Sequence, residues 1–146
     1  MQREPLFHRP EFGRTRADFE EMIDPTFWEV GASGRRYDRR RALTEVTKRY
    51  QDPRYLGMDG PPENRWRTGE FRCVEIAQDS FLFTYVLIQG KRITRRATIW
   101  RRSGRGWKAL YHQGTVIKSA RPLRRALIRL PAASARRSRQ AMRKTS

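Results

Sequence analysis

His112, Glu29 and Arg96 are the residues whose types offer chemistry in this chain. An imidazole titrates near neutrality and shuttles a proton in a partly desolvated pocket, so His112 is the candidate general acid or base; the alternative is a hydrogen-bonded structural histidine at a strand end. Glu29 falls in a strand-like run, where burial would raise its pKa and make it a usable base. Arg35, Arg39 and Arg96 are the alternative, as ion-pair partners, and among so many arginines pairing is the commoner outcome. Arg96 stands on a predicted inner strand, and a guanidinium is rarely buried without a carboxylate or phosphate partner. It therefore points to an anionic ligand or to Glu29. Tyr85, Trp100, Tyr111 and Gln113 complete the candidate pocket, the aromatics as amphipathic walls, although aromatics at alternating positions are ordinarily core.

Other site types are excluded by the residues present. With His at only 2 positions and Cys at 1, the chain offers no spaced zinc set. It has no glycine-rich phosphate loop ending in Lys-Ser or Lys-Thr, and no serine nucleophile elbow. No metal and no cofactor are expected, which argues against nucleotide hydrolysis and metal-dependent catalysis.

The elements that must position these residues can be read along the chain. Thr15-Arg-Ala-Asp18 has the form of a capping box with Asp in the acidic position, and Phe19, Met22 and Ile23 follow at helical spacing until Pro25. Phe27–Val30 reads as a short strand, 32–34 as a tight turn, and Asp38 as the N-cap of a helix running to about Tyr50 through Ala42, Leu43 and Val46. Residues 51–64 collect Pro53, Gly57, Gly60, Pro61 and Pro62, a loop signature or a flap over a pocket. Strand-like runs follow at Trp66–Ala77, Phe81–Gln89, Arg92–Arg102 and Trp107–Val116, with turn chemistry at 78–80, 90–91 and 103–106. The expectation is an α+β fold, a four-stranded antiparallel meander packed by N-terminal helices.

Simple hairpin pairing sets Tyr85 opposite Arg96 and Arg96 opposite Gln113, on the face that holds Phe83, Thr98, Trp100 and Tyr111. Leu82, Thr84, Val86, Ala97, Ile99, Leu110 and His112 then share the other face. A one-residue bulge would exchange these sets.

Charge divides the chain in two. The formal net charge is +18, mean hydropathy is -0.89, and hydrophobic residues make up 37%, enough for one core at 146 residues. All 15 acidic residues lie at or before Asp79, whereas residues 118–146 carry Lys and Arg alone, for +10. Arg121–Leu130 places Leu123, Leu127 and Leu130 at helical spacing among arginines, so a short basic amphipathic helix followed by disorder is expected. Such a tail attracts polyanions, with an acidic partner or nucleic acid as the candidates. Cys73 is the one cysteine, which allows no intrachain disulfide and, in a strand, suggests a small buried side chain. The longest apolar stretch, Phe81–Ile88, is far too short for a transmembrane segment, and Met1–Pro10 lacks the apolar run of a signal peptide. A cytoplasmic location is the corresponding expectation.

Arg96-Ala-Thr-Ile-Trp100, the turn after it, Trp107 and His112-Gln-Gly-Thr115 resemble the C-terminal signature of bacterial nuclear transport factor 2-like proteins of the kind called "domain of unknown function 4440". Phe27-Trp-Glu-Val-Gly-Ala-Ser-Gly-Arg-Arg-Tyr-Asp-Arg39 resembles the short strand, turn and helix start of the same family. The resemblance covers about residues 15–117 and implies a cone-shaped, SnoaL-like or ketosteroid isomerase-like fold, with a carboxylate on the short strand at Glu29. It also implies a long first helix in the pocket wall. Here Pro5, Pro10 and Gly13 interrupt the residues before Thr15, so 1–14 are expected to form an irregular N-terminal segment.

Two functional readings follow. One is a pocket protein for a small organic ligand, apolar or anionic, with an isomerase-, dehydratase- or cyclase-like reaction through Glu29 and His112; it requires a cavity holding both side chains. The other is a non-catalytic binding module, a homodimer through its open sheet face or a partner of acidic protein or nucleic acid through residues 118–146. The fold alone does not choose between them.

Overall fold

Thr15 opens the first helix by local hydrogen bonding. Its hydroxyl accepts from the Asp18 N–H at 3.2 Å, and an Asp18 carboxylate oxygen accepts from the Thr15 N–H at 2.9 Å. The expected capping box thus starts α1, Arg16–Met22, which buries Phe19 and Met22. The chain extends at once into β1, Ile23–Val30, a longer strand than expected. Pro25 is accommodated because it falls in the register irregularity between Ile23 and Trp28, where a missing N–H costs no ladder bond. A turn closed by Gly34 N–H to the Gly31 carbonyl at 2.8 Å leads into β2, Arg36–Asp38. Asp38 then caps α2, Arg39–Gln51, its carboxylate accepting from the Arg41 N–H at 2.8 Å.

The computed structural model describes residues 3–52, 66–104 and 106–117. The expected loop from residue 53 onward and the basic tail from 118 lie outside the described residues. The meander comprises β3, Trp66–Ala77, β4, Ser80–Gln89, β5, Arg92–Ser103, and β6, Gly106–Val116, each within one residue of its expected bounds.

The sheet differs from the expected four-stranded antiparallel one. It has 6 strands in the order β2-β1-β6-β5-β4-β3, and β1 runs parallel to β6. The short N-terminal strands thereby cover the edge that β6 would otherwise expose. The fold is α+β with a curved mixed sheet, both helices lying on its inner face.

The core forms between that face and the helices. Phe83, Tyr85, Leu87, Trp100 and Ala109 of the meander meet Phe19 and Met22 of α1 and Ala42, Leu43, Val46 and Tyr50 of α2. Residues upstream of Thr15 belong to the same core. Leu6 is 2% exposed and Phe7 7%, and Phe7 packs edge-on to Phe19 and Phe27 with ring centroids 5.7 and 6.1 Å apart. Burying each such side chain contributes about 1.5–3 kcal/mol, so the packed unit starts before the expected domain boundary at residue 15. Cys73, expected to be buried, is exposed. It lies on edge strand β3, whose residues from Glu70 to Ala77 are all exposed.

Candidate functional site

Strand register sets two adjacent rows on the inner face. Tyr85, Arg96 and Gly114 form one across β4, β5 and β6; Phe83, Thr98, His112 and Glu29 form the next across β4, β5, β6 and β1. The expected Tyr85–Arg96 pair is present, but Arg96 pairs with Gly114 and not with Gln113. The cause is a register shift between Ile99 and Trp100: Trp100 faces Ala109 while Ile99 faces Tyr111, leaving Leu110 extra in β6. One residue of slip moves every later side chain to the opposite face. His112 therefore joins Arg96 on the inner face, and Tyr111 and Gln113, expected in the pocket, stand on the outer one. There the Tyr111 hydroxyl donates to Gln113 Oε1 at 2.6 Å, and its ring lies 4.5 Å from that of Trp28.

Arg96 and His112 are held by neutral groups. The Arg96 Nε–H donates to Thr94 Oγ1 at 2.9 Å, and Nη1 lies 3.3 Å from His112 Nε2. His112 Nδ1 lies 2.9 Å from Thr98 Oγ1. Arg96 is half-buried, and its described hydrogen-bond partners are Thr94 and His112 alone; among the described residues no carboxylate lies within ion-pair distance of it. Burial, with Arg92 and Arg49 nearby, lowers the Arg96 pKa. Burial and then the Arg96 charge lower His112 to about 3. The expectation that His112 titrates near neutrality is corrected accordingly: a dry site beside a fixed cation disfavours imidazolium. His8 is pushed well below its ordinary value by burial, Arg49, Arg96 and His112, in that order.

Glu29 is half-buried, and its carboxyl has no described hydrogen-bond or ion-pair partner. Desolvation raises its pKa, with Arg49 and Arg96 opposing in part. The anticipated Arg35, Arg39 or Arg96 ion pairs are absent among the described residues. Among the described residues, the inner face thus combines a carboxyl without a hydrogen-bond or ion-pair partner, a guanidinium hydrogen-bonded only to neutral groups, and two imidazoles kept neutral.

Toward the other end of the face, the N-terminal segment fills the interior. Glu4 is 4% exposed. Its carboxyl accepts from the Trp100 indole N–H at 2.9 Å and from the Leu6 N–H at 2.7 Å, and the Tyr85 hydroxyl lies beside it. Burial and this adjacent carboxyl drive the Tyr85 pKa far upward. The expected cavity would enclose Glu29 and His112 on the inner face; the groove formed by described residues lies elsewhere. A solvent-open groove of about 450 Å3 lies near α1 and the β5–β6 turn, lined by Arg3, Phe12, Asp18, Met22, Trp107 and Lys108 among others, with none of the predicted site residues.

Sequence reasoning missed Thr94, Gly114, Glu4 and His8. Gly114 had a signal, since glycine inside a strand marks close approach: a Cβ there would lie 3.1 Å from Arg96 Nη1 and 3.2 Å from Cζ. Thr94 is two residues from Arg96, on the same face by strand alternation. Glu4 and His8 carried no local signal.

Several solved structures share this arrangement. A proposed dehydratase of the nuclear transport factor 2-like family from Streptomyces avermitilis superposes with a TM-score of 0.58 at 12% identity, over 77% of this chain and 90% of that one. An uncharacterized protein with a cystatin-like fold from Caulobacter vibrioides gives 0.56 at 16%, over 70% and 75%. A nuclear transport factor 2-like protein from Cytophaga hutchinsonii gives 0.53 at 12%, over 70% and 82%. No protein-family model and no curated protein matches the chain. The chain has the nuclear transport factor 2-like fold, which the solved structures also describe as cystatin-like; at these identities the likeness is one of fold.

Proposed function

We propose that the chain is a small-molecule-binding protein that takes an organic anion on the inner sheet face, anchored by Arg96 beside Glu29. The observation that carries this reading is the Arg96 guanidinium, half-buried and hydrogen-bonded only to Thr94 and His112 among the described residues. A carboxylate or phosphate supplies the charge-assisted, bidentate partner that such a group lacks. Arg49 and Arg92 add positive potential, and neutral His112 holds Nη1 without competing for the anion. His112 is on this reading a positioning residue, because both of its ring nitrogens are engaged.

An isomerase-, dehydratase- or cyclase-like reaction would use Glu29 as its base. Its raised pKa and a carboxyl unpaired among the described residues suit proton abstraction once a ligand excludes water. The Streptomyces avermitilis protein of the same fold, a proposed dehydratase, is consistent with this extension.

Titration calorimetry with phenyl phosphate tests the binding. Saturable binding to the full chain, weakened about tenfold or more by Arg96→Gln and absent for phenol, is expected. Equal affinity for the wild type and Arg96→Gln would refute the assignment.

A second reading, homodimerisation, draws on the outer face, where Trp28 is 37% and Val74 56% exposed. Trp28→Glu should then convert a dimer to a monomer in sedimentation velocity; a wild-type monomer at high concentration would end that reading. The +10 of residues 118–146 supports contact with an acidic partner or nucleic acid. Affinity for nucleic acid falling steeply with salt would bear it out, and unchanged binding after removal of the tail would not.

A further inference from the structure

We propose that Tyr85 and Trp100 form a second, carboxylate-binding site, filled in this chain by its own Glu4, and that carboxylates with an apolar body compete with the N-terminal segment for it. This goes beyond the Arg96 reading, because the donors are different residues at another part of the inner face.

The donors stand on sheet strands and the acceptor on a segment without regular structure. Tyr85 and Trp100 stand on β4 and β5, 3% and 2% exposed, inside a paired sheet. Glu4 stands in a stretch, residues 3–9, without helix or strand. Were that stretch to leave, the Trp100 indole N–H would lose its acceptor and the Tyr85 hydroxyl its neighbouring carboxyl, which a low-dielectric interior penalises. The site thus demands an acceptor whether or not residue 4 supplies it.

The partners define the ligand class. The Leu6 N–H that also meets the Glu4 carboxyl leaves with the segment, so what remains for a ligand is the Trp100 indole N–H beside the Tyr85 phenol, with no cation in ion-pair distance of the carboxyl among the described residues. Such neutral donors match a single planar carboxylate; a phosphate dianion calls for guanidinium or ammonium partners. Leu6 and Phe7, which follow Glu4 in the segment, are buried in the core, and Phe7 lies against Phe19 and Phe27. A ligand that replaces the segment therefore carries an aromatic or branched aliphatic body.

Phenylacetate is a fitting probe, because it joins a carboxylate to an aromatic ring. In the full chain, Glu4→Ala weakens the hold of the segment and leaves the donors in place. Calorimetry should show phenylacetate binding to Glu4→Ala about tenfold or more tighter than to the wild type, an added Trp100→Phe should lose about tenfold again, and neutral 2-phenylethanol should bind neither. In amide NMR spectra the Leu6 and Phe7 signals should move to unstructured positions on saturation. Equal affinity of wild type and Glu4→Ala, or no binding to a folded Glu4→Ala, would overturn the proposal. So would saturation with Leu6 and Phe7 still docked, since the probe would then only fill the hole left by Glu4. A loss that follows Arg96→Gln but not Trp100→Phe would assign the anion to the Arg96 site and overturn this proposal alone. If Glu4→Ala does not fold, Glu4→Gln, which keeps one carbonyl acceptor, is read by the same criteria.

Discussion

Arg96 Nη1 faces His112 Nε2 at 3.3 Å across the β5–β6 pair, and that contact fixes the state of the imidazole. Guanidinium only donates, so Nε2 accepts; the proton resides on Nδ1 and is donated to Thr98 Oγ1 at 2.9 Å. A second proton on the ring would point at a cation.

The first prediction concerns acid. His112, lowered to about 3, should keep one set of ring NMR shifts from pH 8 to 5. Its folded pKa lies below its unfolded one, so the folded state binds fewer protons in between. The stabilisation is present above about 6.5 and is lost as pH falls toward 3, by about 1.4 kcal/mol per pH unit for one such group. His8 is shifted in the same direction and adds to the slope. Denaturant unfolding of His112→Gln across this range should show a shallower slope than the wild type.

Glu29 has the opposite sign. Its pKa is raised, so the unfolded chain ionises first as pH rises, and the folded state is penalised above the unfolded value. Glu29→Gln should therefore raise the melting temperature at neutral pH, with the gain vanishing below about pH 4. A uniform gain at all pH values would show that ionisation is not its source.

Gly114 gives the guanidinium its room. An added Cβ would meet Arg96 Nη1 at 3.1 Å and Ala32 Cβ at 3.3 Å, so Arg96 must shift by a few tenths of an ångström. Gly114→Ala should cost about 1 kcal/mol in denaturant unfolding and weaken phenyl phosphate binding several-fold.

Loss of the Glu4 carboxyl strands buried donors on Trp100 and Leu6. Glu4→Ala should destabilise the chain by about 2–4 kcal/mol, and Glu4→Gln by less, as measured by urea unfolding.

Local chemistry made much of this fold legible. The Thr15 and Asp38 caps and the turns at 78–79 and 90–91 are short-range signals, and the helix starts and meander strands fall where they predict. What escaped depends on distant partners. The extra Leu110 in β6 leaves no mark in the sequence, yet it decides that His112, and not Tyr111 or Gln113, shares a face with Arg96. Likewise, the parallel β1–β6 pairing joins segments more than 80 residues apart, and Glu4 meets Trp100 across 96 positions. Residue type alone marked Glu29 and Arg96 as candidates; that neither has a described ionic partner is a property of the packed structure.

The anion site on the inner face is tested most directly by following the arginine Nε–H and histidine ring NMR signals of the full chain during titration with phenyl phosphate. The account predicts saturable shifts at Arg96 and His112 that are abolished at the same ligand concentration in Arg96→Gln. Shifts confined to other arginines, with those of Arg96 and His112 unmoved, would contradict it.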